Sequence, residues 1–583
     1  MQLSILDWSL ILIYFVFALG VGVYFSKRAS GSIVEYFTSG RSLPWWLAGT
    51  SMVATTFAAD TPLAVTELVA NHGIAGNWLW WNMLMSGLLT VFFFARLWRR
   101  AEVLTDVEFT ELRYSGRPAA ILRGFRALYL AIPINLIIMG WVTLAMVKII
   151  ELTMGVDKWA AVGITLAVTL IYSTLSGLWG VVMTDLLQFI IAMTGSIALA
   201  IFASNSVGGI DGLKEGLINI YGADHTILDF TPEIGSVWMP LTAFFVYLAV
   251  NWWAAWYPGA EPGGGGYIAQ RMFSAKDERH SFLATLWFNI AHYAIRPWPW
   301  IIVALVSLVL YPDLEDKQTG YILVMLSSLP SGFKGLLLAS FAAAFMSTMS
   351  THLNWGSSYI VNDFYKRFIK KDASDAHYVK AARISTVLLI LLSALVTSQM
   401  DTITEAWKYL LAIGAGTGSV YILRWFWWRI NAWTEISAMV ASLVTSIALQ
   451  TIFGMDSSDI GVFAQVMLIT VSVTSVVWLS VTFLTKPESE ETLLRFYRKV
   501  RPGGSLWKPI TKLAPEVDTD KGLGWDLEDW AVGIVMIYSA LFGIGKIILG
   551  PTSVGIGLLL ITALCFLFIR WELNRRGWKT LKK

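Results

Sequence analysis

The sequence predicts an all-α integral membrane protein, on the evidence of its composition and of the lengths of its apolar segments. Of the 583 residues, 56% are hydrophobic and 14% are charged. Soluble domains carry about 25% charged residues. The apolar residues form about fifteen long segments, most of which reach the roughly 20 residues that a membrane-spanning helix needs. We therefore expect about fifteen transmembrane helices.

The charges of the connecting loops predict how the chain lies in its membrane. Basic residues cluster at 99–126 and 366–371, whereas acidic residues cluster at 211–233 and 313–316. Because basic loops stay on the cytoplasmic side, we expect a multi-pass protein of the cell (inner or plasma) membrane, with its N-terminus outside and its C-terminus in the cytoplasm. These loops account for the net charge of +3, which gives no indication of nucleic-acid binding.

One apolar segment, 44–71, carries an acid and a proline at membrane depth. Pro62 cannot donate a backbone hydrogen bond, and the carbonyls left free need another partner because the bilayer interior holds no water. Asp60 is unfavourable there unless it faces a polar cavity or a counter-charge. The combination predicts an interrupted helix whose carbonyl oxygens can bind a cation.

A second interruption is predicted at 258–267, where two prolines and five glycines follow an apolar segment. Residues of these types end or break helices. This interruption lies five segments after the first. Paired broken helices at matching positions of two five-helix halves are typical of inverted-repeat transporters, with the binding site between the halves. The sequence therefore favours a transporter.

The apolar segment 334–364 contains a row of small hydroxyl side chains. Ser347, Thr348 and Thr351 recur at the spacing that places side chains on one helical face, with Ser350 at its edge. Oxygen ligands suit a hard cation, but small hydroxylated residues also let membrane helices pack closely. Both interpretations stay open for this segment. Asp185 is likewise either a buried ligand or an interfacial, solvated carboxylate.

Several aromatic and charged residues are candidates for contact with a solute. Tryptophans near the interruptions can stack on a ring, although tryptophan at helix ends is commonly interfacial; they include Trp78, Trp81 and Trp253. Arg296 can clamp an anionic solute or neutralise Asp60 or Glu261, and we favour the ion pair. His292 and His352 are isolated in the sequence, which favours hydrogen-bonded helix residues over metal ligands.

Several stretches of the sequence resemble a known family. They are EYFTSGRSLPWW at 35–46, TDLLQ at 184–188, STMSTHLN at 347–354, and GTG at 416–418 followed by LRWFWWRINAW at 423–433. Together they resemble the sodium/solute symporter family, which includes sodium-coupled sugar, proline and sialic acid transporters. The similarity extends over most of the chain.

The resemblance implies a LeuT-type core of two inverted five-helix repeats, with one helix before it and about four after it. The domain boundaries that follow are 1–30 for the additional N-terminal transmembrane helix, 44–204 for the first repeat, 236–427 for the second, 434–485 for two peripheral helices, 487–528 for a cytoplasmic linker, and 529–583 for a C-terminal transmembrane hairpin with a basic tail.

The resemblance also implies where sodium and solute bind. A first sodium site is implied at the carbonyls of Ala54, Phe57 and Ala344 and the hydroxyls of Ser347 and Thr348. A second is implied at Asp185, Ser347, Ser350 and Thr351, so that we expect two sodium ions. Solute contacts are implied at Thr56, Asp60 and Thr61, at Asn77 and the residues up to 82, and at 265–267, where Tyr267 resembles an inner-gate aromatic residue.

These observations predict sodium-coupled symport of a small organic solute across the lipid bilayer by alternating access. The solute stays undecided between a sugar, an amino acid and a carboxylate. A transporter-like membrane sensor is one alternative, but no kinase-sized segment follows the last apolar segment. A sodium channel is another, but broken helices around a central site favour alternating access. No nucleophile with a base and no metal-ligand cluster indicates an enzyme. Cys565 is the only cysteine, which excludes dithiol redox chemistry.

Overall fold

The computed structural model describes residues 3–29, 32–255, 262–400, 403–520 and 522–576. Within these ranges the regular structure is helical, apart from one isolated parallel bridge between Leu43 and Ala275. Ten helices of the described ranges are long and apolar enough to cross a membrane. The predicted all-α membrane fold class is therefore confirmed.

The described helices follow one another along the chain, and the segment 222–240 between α9 and α10 contains no helix. Those of the N-terminal half are α1 (Ile5–Ala29), α2 (Ile33–Thr38), α3 (Trp45–Thr56), α4 (Asp60–His72), α5 (Ile74–Ala101), α6 (Phe109–Arg113), α7 (Gly116–Met154), α8 (Lys158–Ser206) and α9 (Gly209–Tyr221). Those that follow are α10 (Leu241–Ala254), α11 (Gly266–Ser274), α12 (Glu278–Leu310), α13 (Gly320–Ser328), α14 (Phe333–Ile369), α15 (Asp375–Thr397), α16 (Ile403–Gly414), α17 (Gly418–Phe426), α18 (Ala432–Thr451), α19 (Ile460–Leu484), α20 (Glu490–Val500), α21 (Lys508–Thr511), α22 (Leu523–Leu549) and α23 (Thr552–Arg575).

The first predicted interruption lies between Thr56 and Asp60, where α3 ends and α4 begins. Phe57 leaves the helical conformation, with φ −91° and ψ 66°. Pro62 is the third residue of α4, in the first turn, where the leading N–H groups of a helix have no intrahelical partner. Pro62 therefore fits the start of α4, because its missing N–H removes no hydrogen bond from the helix.

The second predicted interruption separates α10, which ends at Ala254, from α11, which begins at Gly266. Gly263 and Gly264 have φ values of 82° and 77°, and Gly266 has 53°. Side chains rarely adopt this left-handed region, whereas glycine enters it freely. The glycines therefore supply the non-helical backbone that leads into α11.

The end of α3 is held between long helices of the core. At Gly49 a Cβ atom would lie 2.5 Å from the carbonyl oxygen of Ala284, so α3 and α12 approach each other more closely than any other residue allows. The helix α3 also packs against α8 and α14. These neighbours determine where the open carbonyl end of α3 points.

The segment after α19 packs on the ends of the core helices. Trp507 Nε1 donates a 2.8 Å hydrogen bond to the carbonyl of Trp425, and the Trp507 ring stacks on Phe496 of α20 at 5.6 Å. The Arg113 guanidinium lies 5.2 Å from the centre of the Trp507 ring. These contacts attach the 487–528 segment to the membrane helices.

A buried ion network completes this attachment. Asp520 Oδ2 lies 2.8 Å from Arg96 Nε, and Asp520 Oδ1 lies 2.9 Å from Arg100 Nη2. Arg100 also pairs with Glu278 at the start of α12, at 2.9 Å, and Arg96 pairs with Asp526 of α22. The network therefore joins α5, α12, the 487–528 segment and α22 through side chains that are each at most 10% exposed.

Candidate solute and ion site

A cavity lies beside the interruption between α3 and α4. Its walls come from these two helices and from α5, α7, the first turn of α11, α12, α14 and α16. The cavity combines polar and aromatic side chains. The polar ones include Thr55, Thr56, Asp60, Thr61, Arg296 and Thr348. The aromatic ones include Trp80, Trp141, Tyr267, Tyr293 and Trp407.

Asp60 and Trp407 are neighbours in the cavity wall, where the indole N–H interacts with the carboxylate without forming a hydrogen bond of good geometry. Asp60 is 3% exposed, and its Oδ1 has no hydrogen-bond partner within the described part of the chain. Trp407 Nε1 is also buried and likewise has no hydrogen-bond partner of good geometry among the described residues. Leaving a buried donor or acceptor unpaired costs about 1–3 kcal/mol. The carboxylate and the indole therefore keep hydrogen-bonding capacity that a bound solute can satisfy.

Arg296 connects α12 to the last turn of α3. Its Nη1 donates to the Val53 carbonyl at 3.3 Å and to Thr56 Oγ1 at 3.0 Å, and its guanidinium lies 5.1 Å from the centre of the Trp300 ring. Thr56 Oγ1 also lies 3.1 Å from Nδ1 of His292. Arg296 thus holds the C-terminal end of α3 by hydrogen bonds. It also places a positive charge in the cavity wall.

The carbonyl end of α3 meets the hydroxyl row of α14. Thr348 Oγ1 donates a 2.7 Å hydrogen bond to the Thr55 carbonyl and lies 3.1 Å from the carbonyl of Ala344. Carbonyls at a helix C-terminus lack intrahelical partners and carry the negative end of the helix dipole. The predicted first-site residues Ala54, Phe57, Ala344, Ser347 and Thr348 lie on these two adjoining stretches. An oxygen-only set of this kind fits a hard cation such as sodium.

The predicted second-site residues surround the buried carboxylate of Asp185. Its Oδ1 accepts a 2.6 Å hydrogen bond from Ser347 Oγ, and its Oδ2 accepts one of 2.5 Å from Ser51. Thr351 Oγ1 lies near this pair and accepts from Arg271 Nη2 at 2.8 Å. Ser350 is on the same helical turn and donates to the Ser347 carbonyl. The side chains of Asp185, Ser347, Ser350 and Thr351 therefore lie close together, and Arg271 lies among them.

The structure distributes the predicted solute contacts between the cavity and the surrounding core. Thr56, Asp60, Thr61, Tyr267 and Arg296 line the cavity.

The remaining predicted contacts do not line the cavity. The side-chain nitrogens of Asn77, Trp78 and Trp253 bond to nearby backbone carbonyls, and Trp78 and Trp81 pack against aromatic residues of α22. Glu261 lies outside the described residues.

Sequence reasoning missed several cavity residues. Tyr293 lies one helical turn before Arg296, so its position carried a signal, whereas Trp80 falls within the 77–82 stretch that the resemblance already implied. Trp141 and Trp407 stand in ordinary apolar segments, where nothing distinguishes a solute contact from a lipid-facing or interfacial tryptophan. Only the packing of α7 and α16 against the interruption places them in the cavity.

Comparisons with known proteins identify the family of the chain. The model of the sodium:solute symporter family matches residues 36–445. Solute carrier family 5 member 4B from Mus musculus is 26% identical, over 90% of this chain and 85% of its own length. A sodium/glucose cotransporter from Vibrio parahaemolyticus is also 26% identical, over 77% of this chain and 86% of its own.

The fold is similar to that of a solved transporter. A Na+-coupled sialic acid symporter in a substrate-bound, outward-open state superposes with a TM-score of 0.66 at 20% identity, over 83% of this chain and 99% of its own.

The chain therefore belongs to the sodium:solute symporter family. Sodium-coupled symport of a small organic solute is its function, and it is a transporter and not an enzyme. The predicted family and mode of transport are confirmed.

Proposed function

We propose that the cavity beside the α3–α4 interruption binds a sugar. The observation that carries the proposal is the buried pair Asp60 Oδ1 and Trp407 Nε1, two cavity-wall atoms that form no hydrogen bond of good geometry with the protein. A carboxylate accepts hydrogen bonds and an indole donates one, which together match the hydroxyl groups of a sugar. Trp80, Trp141 and Tyr293 supply flat apolar surfaces for the faces of the ring.

Names of similar proteins support this class of solute. The bacterial relative is described as a sodium/glucose cotransporter, and the solved transporter of similar fold carries sialic acid, a carboxylated sugar. Arg296 in the cavity wall favours a sugar bearing a carboxylate as the second candidate, because guanidinium groups bind carboxylates through paired hydrogen bonds.

A thermal-stability screen of the purified protein tests the solute class. We expect neutral sugars to raise the melting temperature in sodium chloride and to have a smaller effect in choline chloride, since a ligand that binds only the folded protein stabilises it. Uronic and sialic acids test the second candidate. Stabilisation by amino acids alone, with no response to any sugar, would reject both.

We further propose that one sodium ion binds between the carbonyl end of α3 and the hydroxyls of α14, using the carbonyls of Ala54, Phe57 and Ala344 with Ser347 and Thr348. The contact between Thr348 and Thr55 supports this position. The ion would link the interrupted helix to α14 and so favour the conformation that admits solute, which converts its binding free energy into a conformational preference.

The membrane potential then drives accumulation of the solute. One positive charge moving down 100 mV releases about 2.3 kcal/mol, enough for roughly fifty-fold accumulation. The resemblance predicts a second ion at Asp185, Ser347, Ser350 and Thr351, and the count of two sodium ions stays a prediction. A sodium channel would instead carry steady current without solute, so electrical recording from the reconstituted protein separates the two mechanisms.

We propose a core of two inverted five-helix repeats, 44–204 and 236–427, within about fifteen membrane helices. The interruptions that end α3 and α10 support it, because each of the two proposed repeats then contains one broken helix. We also propose insertion in the cell membrane with the N-terminus outside and the 487–528 linker in the cytoplasm. Reporter fusions at the two ends test the orientation; a cytoplasmic N-terminus would contradict it.

A further inference from the structure

A buried arginine stands beside the carboxylate at the predicted second sodium site. Arg271 Nη2 lies 3.8 Å from Asp185 Oδ2, and both side chains are 0% exposed. Arg271 Nη2 also donates to Thr351 Oγ1 at 2.8 Å, and its Nε donates to Ser51 Oγ at 3.1 Å. Ser51 in turn donates to Asp185. The guanidinium therefore bonds directly to Thr351 and lies beside Asp185. It is also connected to Asp185 through the hydroxyl of Ser51.

Arg271 is held in this position from its far side. Its Nη1 donates to Gln270 Oε1 at 2.8 Å. The amide nitrogen of Gln270 donates to Asn354 Oδ1 at 2.9 Å and to the Phe37 carbonyl at 3.0 Å. All of these groups are buried. The arginine is thus fixed by hydrogen bonds at each of its nitrogen atoms and is not a mobile side chain passing near the carboxylate.

The charges at this position already balance. One carboxylate faces one guanidinium in a site closed to water, and buried charges are stable when paired. A sodium ion bound by Asp185 and Thr351 would add a second positive charge within a few ångströms of Arg271, while Asp185 is the carboxylate with which Arg271 forms its ion pair. The two cations would compete for the same oxygen atoms.

We propose that the Arg271 guanidinium takes the place of the second cation beside Asp185, so that this chain couples solute movement to the single sodium ion of the first site. The inference rests on the proposed sodium site between α3 and α14. Arg271 is a positioning residue: it supplies fixed positive charge that holds Asp185, Ser51 and Thr351 in register, and thereby sets the number of ions transported per solute.

Equilibrium accumulation in proteoliposomes measures that number. With a tenfold inward sodium gradient and the membrane potential clamped at zero, one coupled ion gives about tenfold solute accumulation and two give about hundredfold. We expect about tenfold for the natural protein. Arg271→Gln should move accumulation towards hundredfold, and should make the rise of melting temperature with sodium concentration steeper, because Asp185 becomes available to a second ion.

Three variants control for structural effects. Arg271→Lys retains the charge and should keep a single coupled ion. Asp185→Asn with Arg271→Gln removes both charges and should couple one ion, which shows whether a second ion gained by Arg271→Gln depends on Asp185. Arg126→Gln removes a buried arginine that pairs with Glu435 outside the site and should leave the stoichiometry unchanged.

Each result has a definite consequence. A natural protein that couples two sodium ions overturns the proposal, as does an Arg271→Gln protein that folds and still couples one. A natural protein whose stability and uptake do not respond to sodium at all would instead reject the sodium site on which the inference rests.

Discussion

The hydroxyl of Thr348 donates a hydrogen bond of 2.7 Å to the carbonyl of Thr55, across 293 positions of sequence. This bond joins the open end of a broken membrane helix to an unbroken helix from the second half of the chain. Helix-end carbonyls and a hydroxyl row meet there with no water available to satisfy them. The contact brings oxygen atoms of two helices together, as the proposed cation site requires.

Removing the Thr348 hydroxyl should weaken sodium binding. We expect Thr348→Ala to raise the sodium concentration for half-maximal uptake by about tenfold, the effect of losing one ligand or hydrogen bond in a buried site. Thr348→Ser keeps the hydroxyl and is the matched control. Uptake measured against sodium concentration checks the prediction, and equal values for the alanine and serine variants would contradict it.

Asp60 should act on the solute and not on sodium. We expect Asp60→Asn to weaken solute affinity by about tenfold or more, since hydrogen bonds to charged groups contribute about 1.5–3 kcal/mol. Sodium-induced stabilisation without solute should persist. Glu67→Gln is the control, because Glu67 lies on the same helix but bonds to Gln318 outside the cavity. Loss of sodium response in Asp60→Asn would place this carboxylate in the ion site.

Asp520 should hold the linker against the membrane helices. Removing one partner from a buried ion pair costs about 3–5 kcal/mol, so Asp520→Asn should lower the melting temperature by several degrees while the folded fraction still transports. Glu516→Gln breaks an exposed pair with Arg498, and such pairs contribute about 0–1 kcal/mol. Similar melting temperatures for the two variants would show that the network contributes little.

Glu111 should make stability depend on acid pH. Burial tends to raise the pKa of this carboxyl, but hydrogen bonds from Arg367 and Arg123 outweigh burial and hold its pKa below the usual range. A lowered folded-state pKa gives stability that is present above the unfolded value of about 4.3 and is lost as pH falls through the folded value. Melting temperature followed from pH 6 to about pH 3 should fall less steeply for Glu111→Gln than for the natural protein. Parallel curves would contradict this.

Local sequence signals were sufficient for the fold class and for the broken helix. Membrane helices satisfy their own backbone groups, so long apolar segments show directly in sequence. Pro62 and Asp60 at membrane depth indicated a break, and the break lies immediately before them, between Thr56 and Asp60. The hydroxyl spacing around Ser347 predicted one shared helical face, the resemblance implied a site with Asp185, and the structure packs this face against α3 and Asp185.

The cavity walls depend on packing that a single sequence does not express. Trp407 and Trp141 resemble every other tryptophan in an apolar segment, and only the neighbourhood of α3 distinguishes them. Arg271 follows a glycine-rich interruption in an unremarkable polar stretch, and its position beside Asp185 depends on how α11 docks against α8 and α14. Contacts between helices that are distant in sequence decide these roles.

Binding of radioactive sodium to the purified protein tests the proposed ion site most directly. The natural protein should show saturable sodium binding in the absence of solute, and a variant combining Ser347→Ala with Thr348→Ala should lose it while retaining its helical content and monodisperse elution. Undiminished sodium binding by that folded double variant would show that the cation does not lie between the broken helix and α14.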